Sequence, residues 1–273
     1  MNSATTQRKN KAAATPIPND ELRAGLLSVG LRGLEDQLDD FIARATRGRW
    51  PVVRVIEELS RLEAKDRGRR GVERRLRRSK LGSFKPIADF DWAWPTEIDR
   101  KAVDRVLGLD FIERAENVVL VASQGLGKTM IAKNIVHAAV MAGHSALFIT
   151  ASDLLLDMAK QETARALERR LRHYMRLRVL AIDEIGYLSY DNNAADLLFQ
   201  IVTRRYEHKP IIMTTNLMFK EWNTVFPSAT CATALIDRLT HHSEIIPIQG
   251  KSYRKREAEQ EQKKRKRARR AKR

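Results

Sequence analysis

An apolar run, VVLVA, passes without a break into SQGLGKT and then into MIAKNIV, whose apolar residues recur at helical spacing. No other stretch of the chain restricts the fold as tightly. A strand, a glycine-bearing turn and a helix must follow one another between residues 118 and 136. The turn fits the pattern G-x-x-x-x-G-K-[ST] at every position but the first, where Ala122 stands. Gly125 and Gly127 let backbone N–H groups point inward at an anion, and a helix starting near Lys128 adds the positive end of its dipole. Ala122, Ser123, Gln124, Gly125, Leu126 and Gly127 are therefore the candidate cradle for a nucleotide's phosphates, with ATP and Mg²⁺ the expected ligands. Lys128 can reach the β- and γ-phosphate oxygens, and the Thr129 hydroxyl can ligate Mg²⁺. Alanine in a left-handed conformation would cost about 1–2 kcal/mol. Ala122 is expected to end the strand with an extended backbone, where that cost does not arise.

A second apolar run, VLAI, ends in two carboxylates, Asp183 and Glu184. In a parallel sheet, side chains at the carboxyl ends of neighbouring strands converge where ligands bind. That places Asp183 as a Mg²⁺ holder and Glu184 as the general base that polarises an attacking water. A third run, PIIMTT, ends in Asn216. Expected strands lie at 118–122, 146–150, 179–183, 211–215 and 245–248, with helices at 128–141, 152–173 and 192–206 between them. Near-continuous apolar strands alternating with helices predict an α/β fold whose parallel sheet is covered on both faces.

Charge divides the rest of the chain. The chain carries 51 Lys and Arg against 34 Asp and Glu, a net of +17. Residues 251–273 hold thirteen basic and three acidic residues, and residues 61–80 hold ten and three. Such clusters favour a polyanionic partner, because phosphate neutralisation releases condensed counterions. Four zones follow: a flexible arm over 1–19, a helical domain over 20–88, an ATPase domain over 89–250 and a basic tail over 251–273. Within the helical zone, Leu22, Leu26, Leu27, Leu31 and Leu34 recur at helical spacing, as do Val53, Ile56, Leu59 and Leu62; residues 72–81 predict a short third helix. Cys231 is the single cysteine, which excludes an intramolecular disulfide and a multi-cysteine zinc site. His137, His144, His173, His241 and His242 read as surface or packing residues. Trp50, Trp92, Trp94 and Trp222 read as core or linker anchors. With no apolar run of membrane-spanning length and no apolar leader, no membrane partner and a cytoplasmic location are expected.

On these motifs the chain resembles the IstB-type ATP-binding helpers of bacterial insertion-sequence transposition, AAA+ ATPases related to the DnaC helicase loaders. The resemblance rests on LRAGLLSVGLRGLEDQL, VERRLRRSKL, DFDW, ASQGLGKT, LAIDEIGYL, TTNLMFKEW and ALIDRLTHH…IQGKSYR, and spans about residues 20–256. It implies an AAA+ P-loop three-layer sandwich, preceded by a small all-helical domain and followed by a basic tail. It also implies that Asn216 is the sensor-1 residue, Arg238 the arginine finger offered to a neighbouring subunit, and Arg254 the sensor-2 arginine of its own site. The implied activity is ATP hydrolysis that controls homo-oligomer assembly on double-stranded DNA, largely without sequence preference, in aid of a cognate transposase. Two other readings share these motifs: a DnaC-like replicative helicase loader, and a nucleotide-gated DNA-binding scaffold with little hydrolysis. A small-molecule kinase fits less well, since no acceptor-binding lid is evident.

Overall fold

Alternate residues along the strands feed two separate cores, one on each face of a single sheet. Val118, Leu120 and Ala122 pack into one, and Val119 and Val121 into the other, the period of two that a strand imposes. The structure is a computed structural model and describes residues 19–187, 189–259 and 261–262. The expected arm, save residue 19, and the basic run 263–273 lie outside the described residues.

Packing divides the chain between Gly71 and Val72. The first unit holds α1 (Asn19–Ser28), α2 (Leu38–Arg47) and the start of α3 (Val52–Arg78). Its small core is Leu34, Leu38 and Phe41, flanked by Leu22, Leu26, Leu59 and Leu62. The leucine spacing predicted one helix through Leu34, but α1 ends at Ser28 and Gly30 turns the chain at φ +80°. Val53 and Ile56 do not join Leu59 and Leu62 in the core; they are 67% and 57% exposed. The expected third helix is not separate either, for α3 runs on through the basic stretch to Arg78. Ion pairs of Arg67 with Glu63 and Arg70 with Asp66, each at 2.5 Å, support it. They partly offset Gly68 and Gly71, each about 1 kcal/mol poorer than alanine inside a helix.

The second unit contains β1 (Glu97–Ile98), α4 (Arg100–Leu107), α5 (Asp110–Glu113), β2 (Asn117–Ala122), α6 (Lys128–Met141) and β3 (Ala146–Thr150). There follow α7 (Ala151–Ala159), α8 (Ala164–Arg176), β4 (Val179–Ile185), α9 (Asn192–Arg205), β5 (Ile211–Thr215), α10 (Ala229–Thr240) and β6 (Ser243–Gln249). The sheet order is β1-β6-β2-β5-β4-β3, parallel throughout except for β1. Helices α4 to α6 cover one face and α7 to α10 the other. The fold is thus the α/β sandwich that the alternation predicted. The short antiparallel β1 was not foreseen. The helix expected over 152–173 is two helices, because the Thr163 side chain accepts the Ala166 N–H and restarts the turn as an N-cap. Among the described residues no helix is long and apolar enough to cross a membrane. The order sets β2, β5 and β4 side by side, so their carboxyl ends open onto one place.

Candidate nucleotide site

The loop that leaves β2 is shaped by two glycines. Gly125 and Gly127 adopt φ +79° and +88°, and Gly127 caps the start of α6. A β-carbon on Gly127 would stand 2.5 Å from Phe90 Cε2, and one on Gly125 would strike the Ser252 hydroxyl. Glycine is needed at both positions, for backbone freedom and for close approach. Ala122 is the last residue of β2 and has no positive φ, so its replacement of glycine carries no backbone strain.

Lys128 donates from Nζ to the carbonyls of Ala122 at 2.5 Å and Ser123 at 3.0 Å. Burial holds its pKa below the usual lysine range; Asp183 pulls the other way and Arg254 pushes down further. A partly buried lysine beside a second cation is what a polyphosphate would relieve. Next to Lys128, the Thr129 hydroxyl donates to both carboxylate oxygens of Asp183, at 3.2 and 3.0 Å. Asp183 is 3% exposed. It also accepts from Thr214 Oγ1 at 2.5 Å. A buried carboxylate beside a hydroxyl is the oxygen-only donor set that suits Mg²⁺, so the residues present fit both a nucleotide and its metal.

Glu184 points differently. Ladder pairing between β4 and β5 shifts register between Ile182 and Ile185, and Glu184 within that irregularity takes φ +64°. Such a conformation costs a non-glycine residue about 1–3 kcal/mol and persists where neighbours hold it. Thr214 is one holder, since its Oγ1 accepts the Glu184 N–H at 3.0 Å. The bulge turns the Glu184 side chain out of the sheet, where it is exposed and lines the cavity above the loop. Asn216, just past β5, and Arg254 line the same cavity, whose volume is about 500 Å³. Arg238 does not line it. Its Nη1 donates to the Ala234 carbonyl at 3.1 Å, and its guanidinium sits 4.8 Å from the Phe199 ring centroid.

The opposite wall joins two distant stretches of chain. Tyr253 N–H donates to the Gly125 carbonyl at 2.8 Å, and Trp94 Nε1 to the Lys251 carbonyl at 2.7 Å. Arg256 Nη1 donates to Asp91 at 2.9 Å, with its guanidinium 4.3 Å from the Trp94 ring centroid. Sequence reasoning missed Thr214, Asp91 and Arg256. Asp91 and Arg256 were visible as charges within conspicuous motifs, but nothing in the sequence pairs them across 165 positions.

Residues 24–261 match the family described as IstB-like ATP binding protein. A relative from Pseudomonas aeruginosa, named as the ATP-binding protein of insertion sequence IS21, is 42% identical over 191 residues, covering 70% of this chain and 72% of its own. Another from Geobacillus stearothermophilus, named likewise for insertion sequence IS5376, is 40% identical over 199 residues, covering 73% and 79%. Among solved structures, the crystal structure of DnaI is similar with a TM-score of 0.50 at 19% identity, covering 63% of this chain and 90% of that one. That likeness speaks for the fold alone.

Proposed function

The chain belongs to the IstB-like ATP-binding proteins of insertion sequences, and from that premise we propose that it hydrolyses ATP to control its own assembly on DNA in support of a transposase. The observation that carries this reading is the convergence at the ends of β2, β4 and β5. A phosphate cradle, a hydroxyl–carboxylate pair and an outward-turned carboxylate stand together there. Lys128 and the loop N–H groups bind and orient the β- and γ-phosphates. Thr129 and Asp183 hold Mg²⁺, which when bound neutralises charge developing on the transferred phosphoryl group. Glu184 takes the proton of the attacking water, Asn216 positions that water, and Arg254 contacts the γ-phosphate from the same chain.

Phosphate release in the presence of DNA tests this. Glu184→Gln is expected to lower the rate by about a hundredfold or more, the usual worth of a general base, while ATP binding stays within a few-fold of wild type. Equal rates for the two proteins would remove Glu184 from the reaction.

DNA binding is assigned to the basic segments. In the described part of the chain, Arg74, Arg77, Arg78 and Lys80 are exposed at the start of the second unit. By contrast Arg67 and Arg70 are committed to Glu63 and Asp66. Replacing Arg74, Arg77 and Arg78 together by alanine is expected to weaken duplex binding about equally across sequences. It should also reduce the slope of log K against log salt by up to about 3. Fluorescence anisotropy across a salt series measures both. An unchanged slope would move the DNA contact elsewhere.

A further inference from the structure

Two helices on one face of the sheet end beside each other, away from the nucleotide cradle. Glu207 follows α9, and His241 and His242 follow α10. The His242 carbonyl accepts the Asn117 N–H at the start of β2, whereas the cradle lies past that strand's end. The histidines, expected from sequence to be surface or packing residues and not a ligand set, include two that are here brought together with a carboxylate. His241 Nδ1 stands 3.8 Å and His242 Nε2 3.6 Å from the same oxygen, Glu207 Oε1. The two imidazole centroids are 4.0 Å apart, and the three ligand atoms lie within 4.8 Å of one another.

An ion pair needs one imidazolium. Two imidazoles turned to one carboxylate oxygen, with their rings in contact, would force two like charges together if both were protonated. Two neutral imidazoles and a carboxylate are instead a donor set for a borderline divalent ion. The spacing agrees, since tetrahedral zinc with bonds of about 2.0–2.1 Å sets its ligands roughly 3.3–3.4 Å apart. The observed spacings to the carboxylate, 3.8 and 3.6 Å, exceed that by roughly 0.2–0.5 Å, and the three ligand atoms, all within 4.8 Å, would have to draw in by up to about 1.5 Å, which torsions of exposed side chains can supply. Glu207 takes φ +59°, a left-handed conformation that brings its side chain to the histidines at some cost in strain. The neighbouring Tyr206 hydroxyl stands 2.7 Å from His241 Nδ1. Once Nδ1 takes a metal, that hydroxyl is free to orient the carboxylate from behind, as outer-shell partners do.

We propose that Glu207, His241 and His242 form a surface site for a borderline transition ion, Zn²⁺ foremost, distinct from the Mg²⁺ place at Thr129 and Asp183. The ion clips the ends of α9 and α10 together and so steadies the helix that carries Arg238. The full chain, stripped with a chelator and exchanged into chelator-free buffer, is titrated with Zn²⁺ against a chromophoric competitor. One ion per chain is expected, with affinity reduced more than about tenfold in each of His241→Ala, His242→Ala and Glu207→Gln. Excess Mg²⁺ should not compete, because that hard ion prefers oxygen-only sets. Zn²⁺ should raise the melting temperature of the wild type and not of the His241→Ala/His242→Ala protein. All three side chains are exposed, so circular dichroism should find every variant folded. Wild-type affinity and stoichiometry in the variants would place the ion elsewhere and overturn the site. Half an ion per chain would overturn the clip within one chain.

Discussion

Exchanging Arg238 for alanine is expected to leave ATP binding by the single chain intact and to slow DNA-stimulated hydrolysis by at least about 10³-fold, the lower range for an arginine supplied to a transferring phosphate. The expectation starts from what Arg238 does not do at home. It lines no part of its own cavity, and among the described residues no carboxylate pairs with it. Its guanidinium makes one backbone hydrogen bond and rests on Phe199, contacts that hold the side chain without neutralising it. The backbone beneath is firm, since Asn117 Nδ2 donates to the Leu239 carbonyl at 3.1 Å while Asn117 Oδ1 accepts the Ile211 N–H at 2.9 Å. A fixed, unneutralised arginine on a helix end suits delivery to a second copy of the chain.

Mixing separates a residue acting in a neighbour's site from one acting in its own. Lys128→Ala chains keep Arg238 but lose the grip on ATP, while Arg238→Ala chains keep the grip and lack the arginine. In an equal mixture, head-to-tail contacts pair the two kinds at random, and about a quarter of sites are complete. Phosphate release should recover to roughly a quarter of the wild-type rate from two nearly inactive proteins. A mixture as inactive as its components, with assembly confirmed by sizing, would return Arg238 to its own chain or remove it from the reaction.

How far the sequence revealed this site depends on how local each part is. The course of the phosphate loop could be read because strand, turn and helix are contiguous, and φ, dipole and side-chain reach are all set within 118–136. The carboxyl ends of β4 and β5 could be read once the sheet was taken as parallel. Thr214 could not, because a threonine inside PIIMTT looks like any β-branched strand former. Its bonds to Asp183 and to the Glu184 N–H come from the pairing of β5 with an irregular β4, and no pattern within either strand reports that. The Asp91–Arg256 pair is hidden for the same reason of distance. Val53 and Ile56 fail differently. Helical periodicity marks a face, but the face of α3 that meets the core runs through Val55, Leu59 and Leu62, and Val53 and Ile56 lie to its side.

Arg205 carries the largest expected effect on stability. It is 1% exposed and, among the described residues, no carboxylate pairs with it; its guanidinium instead donates to four carbonyls. Nη1 reaches Tyr174 at 2.9 Å and Leu177 at 3.0 Å, and Nη2 reaches Arg178 at 3.2 Å and Pro210 at 2.7 Å. Burial pushes its pKa down to about 9, still well above neutrality, so the group is charged at pH 7 and its donors are all present. Three of the acceptors lie where α8 ends and β4 begins, at the negative end of a helix dipole, and Lys209 adds a bond to the Met175 carbonyl at 2.6 Å. The cation therefore closes the helix and fixes where the strand that carries Asp183 and Glu184 starts. Arg205→Met keeps most of the volume and strands buried carbonyls, each worth about 1–3 kcal/mol when unsatisfied. A loss of about 3–5 kcal/mol is expected after water and local shifts recover part of that, in line with removal of one member of a buried charged network. Urea unfolding followed by tryptophan fluorescence measures it, and Arg205→Lys should recover only part, because an ammonium cannot span four carbonyls in one plane. A loss under about 1 kcal/mol for Arg205→Met would mean that the carbonyls find other donors, leaving the helix end to Lys209.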